Sequence, residues 1–235
     1  MPAVPIVYED NHLLVVCKPV NVPTQEDRTR DPDVLSLLKQ YLKERYRKPG
    51  NVFLGMVHRL DRPVGGVMVF AKTSKCASRL SEQIRQRTIR KEYSAVVHGK
   101  PTPPEARLDH DLRYDPRTNT ASITPDAETV GTKHAVLRYT CVAQETHLSL
   151  VHVYLETGRR HQIRVQLAAI GNPIYADTKY GGGDRGRSEP IALWSTVLTL
   201  RHPTKHRVMR FTCSPPPVHP WNLFHFPEQQ NVEEL

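Results

Sequence analysis

Apolar runs and polar gaps alternate along the 235-residue chain at a spacing that predicts short strands interrupted by a few helices. Ile6-Val7-Tyr8 and Leu13-Leu14-Val15-Val16-Cys17 flank the turn Glu9-Asp10-Asn11-His12 and predict two strands, the second ending on Lys18-Pro19. Residues 19–31 are a polar loop containing Pro23 and Thr24. Asp31-Pro32 has the form of an N-cap followed by a first-turn proline. Val34, Leu38, Tyr41, Leu42 and Tyr46 then fall on one helical face, which predicts a helix over 34–47 that Pro49-Gly50 stops. The β-branched and aromatic run Val67–Ala71 predicts a buried strand. A second helix is expected over 74–87, with Ala77, Leu80 and Ile84 inward, and a strand over 92–97. Residues 100–133 are rich in Pro, Thr, Asp and Arg with little periodicity, as in an inserted hairpin or long loop. Strand signals return at 134–142, 147–155, 191–200 and 207–212. A helix signal at 161–170 ends on Gly171-Asn172-Pro173. The proline-rich tail from Ser214 is expected to be extended and anchored by Trp221, Phe224 and Phe226. No internal repeat is evident. The expected organisation is one domain over 1–235, with the insertion at 100–133 and the tail at 214–235.

Composition narrows the class. With 38% hydrophobic and 24% charged residues the chain reads as a soluble globular protein, and no apolar run nears the roughly 20 residues of a membrane helix. Met1-Pro2-Ala3-Val4-Pro5 lacks the charged head and apolar body of a signal peptide. Cys17, Cys76, Cys141 and Cys213 lie far apart without a Cys-x-x-Cys pair, which argues for a reducing compartment and against zinc or a disulfide framework. The net charge of +9 suits a polyanionic partner, nucleic acid first, although many basic proteins have none.

The densest chemistry lies in His58-Arg59-Leu60-Asp61-Arg62-Pro63-Val64-Gly65-Gly66, delivered onto the strand Val67–Ala71 and Lys72. Asp61 sits in a glycine-hinged loop between Arg59 and Arg62, which favour its ionised form. On residue types alone it is a nucleophile or half of a structural ion pair, since ion-pair networks also gather Asp and Arg. Thr157-Gly158-Arg159-Arg160-His161-Gln162-Ile163-Arg164 follows a strand and opens a helix, whose start suits an anion. Arg160 and Arg164, four apart, would share a helical face, and either could reach a carboxylate with its planar fork. On the second helix and its exit, Lys75, Arg79, Arg85, Arg87, Arg90 and Lys91 face a single acid, Glu82. This is a phosphate-contacting stripe or a solvated face. Gly181-Gly182-Gly183-Asp184-Arg185-Gly186 fits a dinucleotide fingerprint in letters but lacks the following helix. His202 and His206 are separated by Pro203, which breaks a shared helical face. No metal and no cofactor are expected.

The stretch from His58 to Lys72 resembles the catalytic motif of the RluA-type pseudouridine synthases: His-Arg-Leu-Asp, a short turn, Gly, an apolar strand, then Ala-Lys. The resemblance implies that Asp61 is catalytic. The segment 157–164 resembles the same family's Thr-Gly-Arg-x-His-Gln-Ile-Arg, and the run from Gly171 through Pro173, Asp177 and Tyr180 to Gly181 continues it. There the last arginine pairs with the catalytic aspartate, which carries over to Arg164. A strand-start tyrosine stacks on the target base and is a proposed proton acceptor, which carries over to Tyr93 in Lys91-Glu92-Tyr93; without the resemblance it is an ordinary core aromatic. An apolar side chain beside the uracil carries over to Ile191-Ala192-Leu193, hence Leu193. The likeness covers residues 5–213. It departs at Val64-Gly65, where Thr-Ser is common, and at Gln166, where His is common. An S4-type domain ahead of the core is not expected, since strands begin by residue 6.

The resemblance implies an α+β fold, a mixed and mostly antiparallel sheet flanked by helices, with an RNA cleft holding Asp61, Tyr93 and Arg164. The function implied is isomerisation of a uridine in ribosomal or transfer RNA to pseudouridine, by a cytoplasmic monomer without an obligate protein partner or membrane attachment. His58, Arg59, Arg62, Arg160, Leu193, Lys75, Arg79 and Arg87 are the RNA- or base-contact candidates. Two alternatives are a catalytically silent RNA binder of the same fold and a hydrolase in which a distant acid such as Asp177 joins Asp61.

Overall fold

A computed structural model of the chain describes residues 4–125, 128–181, 189–226 and 231–235. Residues 182–186 of the glycine-rich run lie outside them. The fold is α+β with mostly antiparallel strand pairing. The chain divides into two compact units, Met1–Lys91 with Ser195–Pro215 and Pro227–Leu235, and Glu92–Trp194 with Pro216–Phe226.

The first unit is built on β1 (Ile6–Glu9), β2 (Leu13–Lys18), β3 (Gly55–Met56), β4 (Gly65–Ala71), β10 (Leu193–Arg201) from Ser195 onward, β11 (Val208–Thr212) and β12 (Val232–Glu234). The strand order is β1-β2-β4-β10-β11-β12. β4 is buried along its whole length, as its unbroken apolar pattern requires of a central strand. It pairs with β2 antiparallel from Leu13↔Ala71 to Lys18↔Gly66, and β3 covers its far end at Phe70 and Ala71. β4 also takes in both glycines of the hinge. Gly66 has φ +117°, and a Cβ there would lie 2.2 Å from the carbonyl oxygen of Ser195. The core gathers Leu13, Val15, Val67, Val69, Leu80 and Phe211.

Two helices flank this sheet. α1 (Val34–Arg45) buries Val34, Leu38 and Leu42. Its N-cap is Asp33, which accepts from the Ser36 amide, two residues beyond the cap that Asp31-Pro32 suggests. α2 (Ser74–Arg85) is capped by Thr73 and buries Cys76 and Leu80. Cys17, at the end of β2, and Cys213, just past β11, form a disulfide, against the expectation of four free thiols. They are 196 residues apart in sequence. Strand pairing brings their ends together, which spacing along the chain does not reveal. Cys76 is a buried thiol, and burial pushes it up to about 12.

The second unit contains β5 (Arg90–His98), β6 (Glu105–Asp115), β7 (Thr120–Thr124), β8 (Thr132–Glu145), β9 (Leu148–Leu155) and α3 (Gln162–Ala169). The order β5-β9-β8-β6-β7 is antiparallel throughout. Residues 105–124 form a hairpin that extends the sheet through β6–β8 pairing. α3 packs Val165 against Leu112, Ala121 and Ala135. Buried Gln166 donates to the carbonyls of Leu108 and Ala135 and bonds His110, which ties α3 to β6 and β8. In the tail, Trp221 and Phe224 are buried as anchors, and β12 adds a strand that the sequence pattern does not suggest.

Candidate active site

Asp61 lies in a turn closed by the Val64 amide donating to the Asp61 carbonyl at 3.0 Å. Two buried polar side chains hold this turn from below. Thr24 Oγ1 donates to the Leu60 carbonyl at 2.8 Å. Thr24 is itself fixed because its own carbonyl accepts from the Leu35 amide at the start of α1. Lys18, with no exposed surface, donates from Nζ to the carbonyls of Pro19, Arg62 and Val64 at 2.9, 3.1 and 2.7 Å. Three carbonyl acceptors match the three donors of an ammonium. Burial pushes the Lys18 amine down to about 7, the Asp61 charge opposes the shift, and the Arg62 charge adds to it. The sequence pattern presents Lys18 only as the end of a strand. The signal that could have found it is a lysine closing an otherwise apolar run that ends on proline.

The arginines flanking Asp61 behave differently from each other. Arg62 turns away: it donates to Thr29 and pairs with Asp31 and, at 3.6 Å, with Asp27, so it clamps the 27–31 loop. Adjacency in sequence therefore overstates its role beside Asp61, and Lys18 is a cation whose charge interacts with that of Asp61. Arg59 is exposed. His58 accepts the Val69 amide on Nε2 at 3.0 Å, continuing by side chain the pairing that β3 makes with β4. Burial, then the nearby Lys91 charge, hold this imidazole well below its ordinary pKa, so it is the neutral form that accepts. The α2 stripe is thinner than its sequence: Arg79 donates to the Pro203 carbonyl at 2.6 Å and Arg85 pairs with Glu82, while Lys75 and Arg87 are exposed.

In the second unit the motif 157–164 forms a locked turn. Thr157 Oγ1 accepts from the Val136 amide and donates to Gln162 Oε1, which also accepts the Arg159 amide. The chain then passes His161 at φ +54° and enters α3. Arg160 precedes that helix, so it shares no helical face with Arg164, contrary to the four-residue spacing argument. It lies instead over the Tyr114 ring at 4.4 Å. Arg164 is buried and makes a two-pronged pair with Asp177, Nε to Oδ2 at 2.8 Å and Nη2 to Oδ1 at 2.7 Å. Asp177 is fully buried, and its Oδ1 also accepts the amides of Lys179 and Tyr180. A carboxylate so occupied is a positioning group for the arginine rather than the second acid of a hydrolase. Tyr93 is buried on β5 opposite Val153, and Leu193 is buried at the start of β10. Among the described residues no cluster of three or more His, Cys, Asp or Glu is arranged to hold a metal ion.

The family model described as RNA pseudouridylate synthase matches residues 12–169, a span that includes Asp61, Tyr93 and Arg164. The chain is 33% identical over 182 residues to an uncharacterized RNA pseudouridine synthase, YhcT, of Bacillus subtilis, covering 77% of this chain and 58% of that protein. It is 34% identical over 215 residues to ribosomal large subunit pseudouridine synthase D of Yersinia pestis, covering 85% and 63%. The chain thus spans about six tenths of the length of these curated relatives. The fold matches that of human RNA pseudouridylate synthase domain containing 4, with a TM-score of 0.75 at 23% identity over 90% of this chain and 88% of that one. The human domain containing 1 gives 0.73 at 24%, over 92% and 84%. The family model matches two thirds of the chain, and the chain belongs to the RNA pseudouridylate synthase family.

Proposed function

We propose that this protein converts a uridine in structured ribosomal RNA to pseudouridine, with Asp61 as the nucleophile or base. The observation that carries the reading is the turn with half-buried Asp61, its backbone fixed by buried Lys18 and Thr24. A binding protein has no need of a carboxylate held in place against its polyanionic ligand. The relatives named as ribosomal large subunit pseudouridine synthases supply the substrate class.

The reaction breaks the bond between ribose C1′ and uracil N1, turns the ring and forms a bond from C1′ to C5. The C5 proton leaves and N1 gains one, so no redox partner is required. The uridine must leave its stack for these atoms to be reached. Asp61 initiates glycosidic cleavage, Tyr93 stacks on the base and accepts the C5 proton, and Leu193 packs beside the ring. Arg164, its plane set by Asp177, orients charge at the site. Arg59 is the exposed contact of the loop. His58 and Arg62 act through the backbone and the 27–31 loop. A cytoplasmic monomer fits this role, and no helix among the described residues is long and apolar enough to cross a membrane. The test uses ribosomal RNA carrying tritium at uridine C5. Wild type releases tritium to water and Asp61→Ala does not, with RNA affinity kept within a few-fold. Release by Asp61→Ala equal to wild type sinks the assignment.

A further inference from the structure

A second group besides Asp177 holds Arg164. The guanidinium carbon lies 5.2 Å from the centre of the Tyr180 ring, within cation–π reach. Tyr180 and Asp177 also fix each other, because the Tyr180 amide donates to Asp177 Oδ1 at 3.2 Å. Arg164, Asp177 and Tyr180 therefore form a closed cycle of contacts: guanidinium to carboxylate, carboxylate to amide, aromatic ring to guanidinium. Gly181 tightens the turn behind them. Its amide donates to the Asp177 carbonyl at 2.6 Å, and a Cβ there would lie 2.5 Å from that oxygen.

The ring is pinned in turn at its tip. The Tyr180 hydroxyl accepts the Ala121 amide of β7 at 2.7 Å and lies 2.8 Å from His161 Nδ1. With the amide on the oxygen, the phenolic proton is left to donate to Nδ1. Ala121 belongs to the hairpin of β6 and β7, and His161 is the left-handed residue from which the chain enters α3, three residues before Arg164. The ring itself packs on the apolar cluster of Leu112, Ala121, Ala135 and Val165. A phenylalanine would meet that packing. The hydroxyl does more: it joins the hairpin, the start of α3 and the Asp177 turn at one oxygen.

We infer that Tyr180 is a positioning residue for Arg164, and that the 105–124 hairpin acts on the chemistry through it. Asp177 holds the guanidinium by two hydrogen bonds, and the Tyr180 ring limits its remaining swing about them. The hydroxyl keeps that ring from tilting. A planar cation gains orientation from a second hold, which a point charge does not. The inference rests on the part given to Arg164 in the reaction above, and one arm of its test does not need turnover.

Two measurements are made on the full chain. First, kcat and KM are determined on large-subunit ribosomal RNA for wild type, Tyr180→Phe, Tyr180→Leu, Arg164→Lys, and Tyr180→Phe combined with Arg164→Lys. Tyr180→Phe keeps the ring, loses the hydroxyl and should lower kcat about threefold. Tyr180→Leu loses both and should lower it about tenfold or more, with KM held within about twofold in each. Lysine keeps a charge for Asp177 but has no plane to orient, so in that background Tyr180→Phe should cost less than about 1.5-fold further. A merely structural tyrosine would cost the same factor in both backgrounds. Second, hydrogen exchange of the Arg164 Nε–H is followed by NMR without RNA. Exchange should speed about threefold in Tyr180→Phe and about tenfold in Tyr180→Leu. Unchanged exchange in both variants, or a Tyr180→Phe factor that multiplies with that of Arg164→Lys, overturns the inference. If Arg164→Lys turns over like wild type, or wild type makes no pseudouridine, while exchange speeds as expected, the reading of the reaction fails and the hold of Tyr180 on Arg164 stands.

Discussion

Replacing Lys18 by Met separates the two consequences of a buried ammonium. The substitution removes three hydrogen bonds, of which only the one to Val64 is fully buried. Leaving that carbonyl unsatisfied costs about 1–3 kcal/mol, and the two half-buried carbonyls, open to water, about 0.5–1.5 each. Against this stands the cost of carrying the charge. A shift from 10.5 to about 7 corresponds to about 5 kcal/mol. The two sides nearly cancel, so the variant should lie within about 2 kcal/mol of wild type at neutral pH. The sign of the pH dependence follows from the same shift. Between about 7 and 10.5 the unfolded chain keeps a proton that the folded chain has released. Lys18 therefore adds stability to wild type as pH rises through that window, and Met adds none. Denaturant melts of both proteins at several pH values should show the wild-type advantage growing toward alkaline pH. A constant difference would mean that the three carbonyls keep Lys18 charged throughout, and would refute the burial argument. Turnover should fall about tenfold or more from misplacement of the turn, with RNA affinity little changed. Unaltered kcat would refute the positioning role.

Other perturbations test separate parts of the structure. Asp177→Asn removes the two-pronged carboxylate partner of the buried Arg164 guanidinium and should cost about 3–5 kcal/mol in denaturant unfolding; a loss under about 1 kcal/mol would show the pair to be dispensable. His58→Phe orphans the Val69 amide at a cost of about 1–3 kcal/mol. His58 is held neutral, so its contribution is present above about 6.5 and lost as pH falls below it. Acid melts of the two proteins should therefore converge, and parallel curves would contradict this. Gly66→Ala drives a Cβ into the Ser195 backbone at a left-handed φ and should cost more than about 4 kcal/mol, whereas Gly50→Ala, with open space around it, should cost about 1. Similar melting curves for the two would remove the close β4–β10 approach from the account.

Much of this fold is legible in sequence because it is local. The apolar run Val67–Ala71 suits only a central strand, and the spacing of Val34, Leu38 and Leu42 suits only a helix. The two long motifs locate Asp61 and Arg164. What is not legible depends on distant partners. Nothing near Arg62 in sequence announces Asp27 and Asp31, and nothing near Arg79 announces the Pro203 carbonyl. The Cys17–Cys213 bond joins two strand ends 196 residues apart. Arg160 lacks its predicted face because the helix begins two residues later, after the left-handed His161. Lys18 is hidden for a different reason: a lysine at the end of a strand ordinarily marks solvent, and here it marks the support of the Asp61 turn.

The central claim is that Asp61 performs uridine isomerisation. The most direct measurement maps pseudouridine across all RNAs in cells that lack the protein, rescued with wild type or with Asp61→Ala. The account predicts one or a few ribosomal sites that vanish, return with wild type and stay absent with Asp61→Ala. Sites restored equally by both proteins, or no lost site while RNA still crosslinks to the protein, would contradict it and leave an RNA-binding protein of this fold.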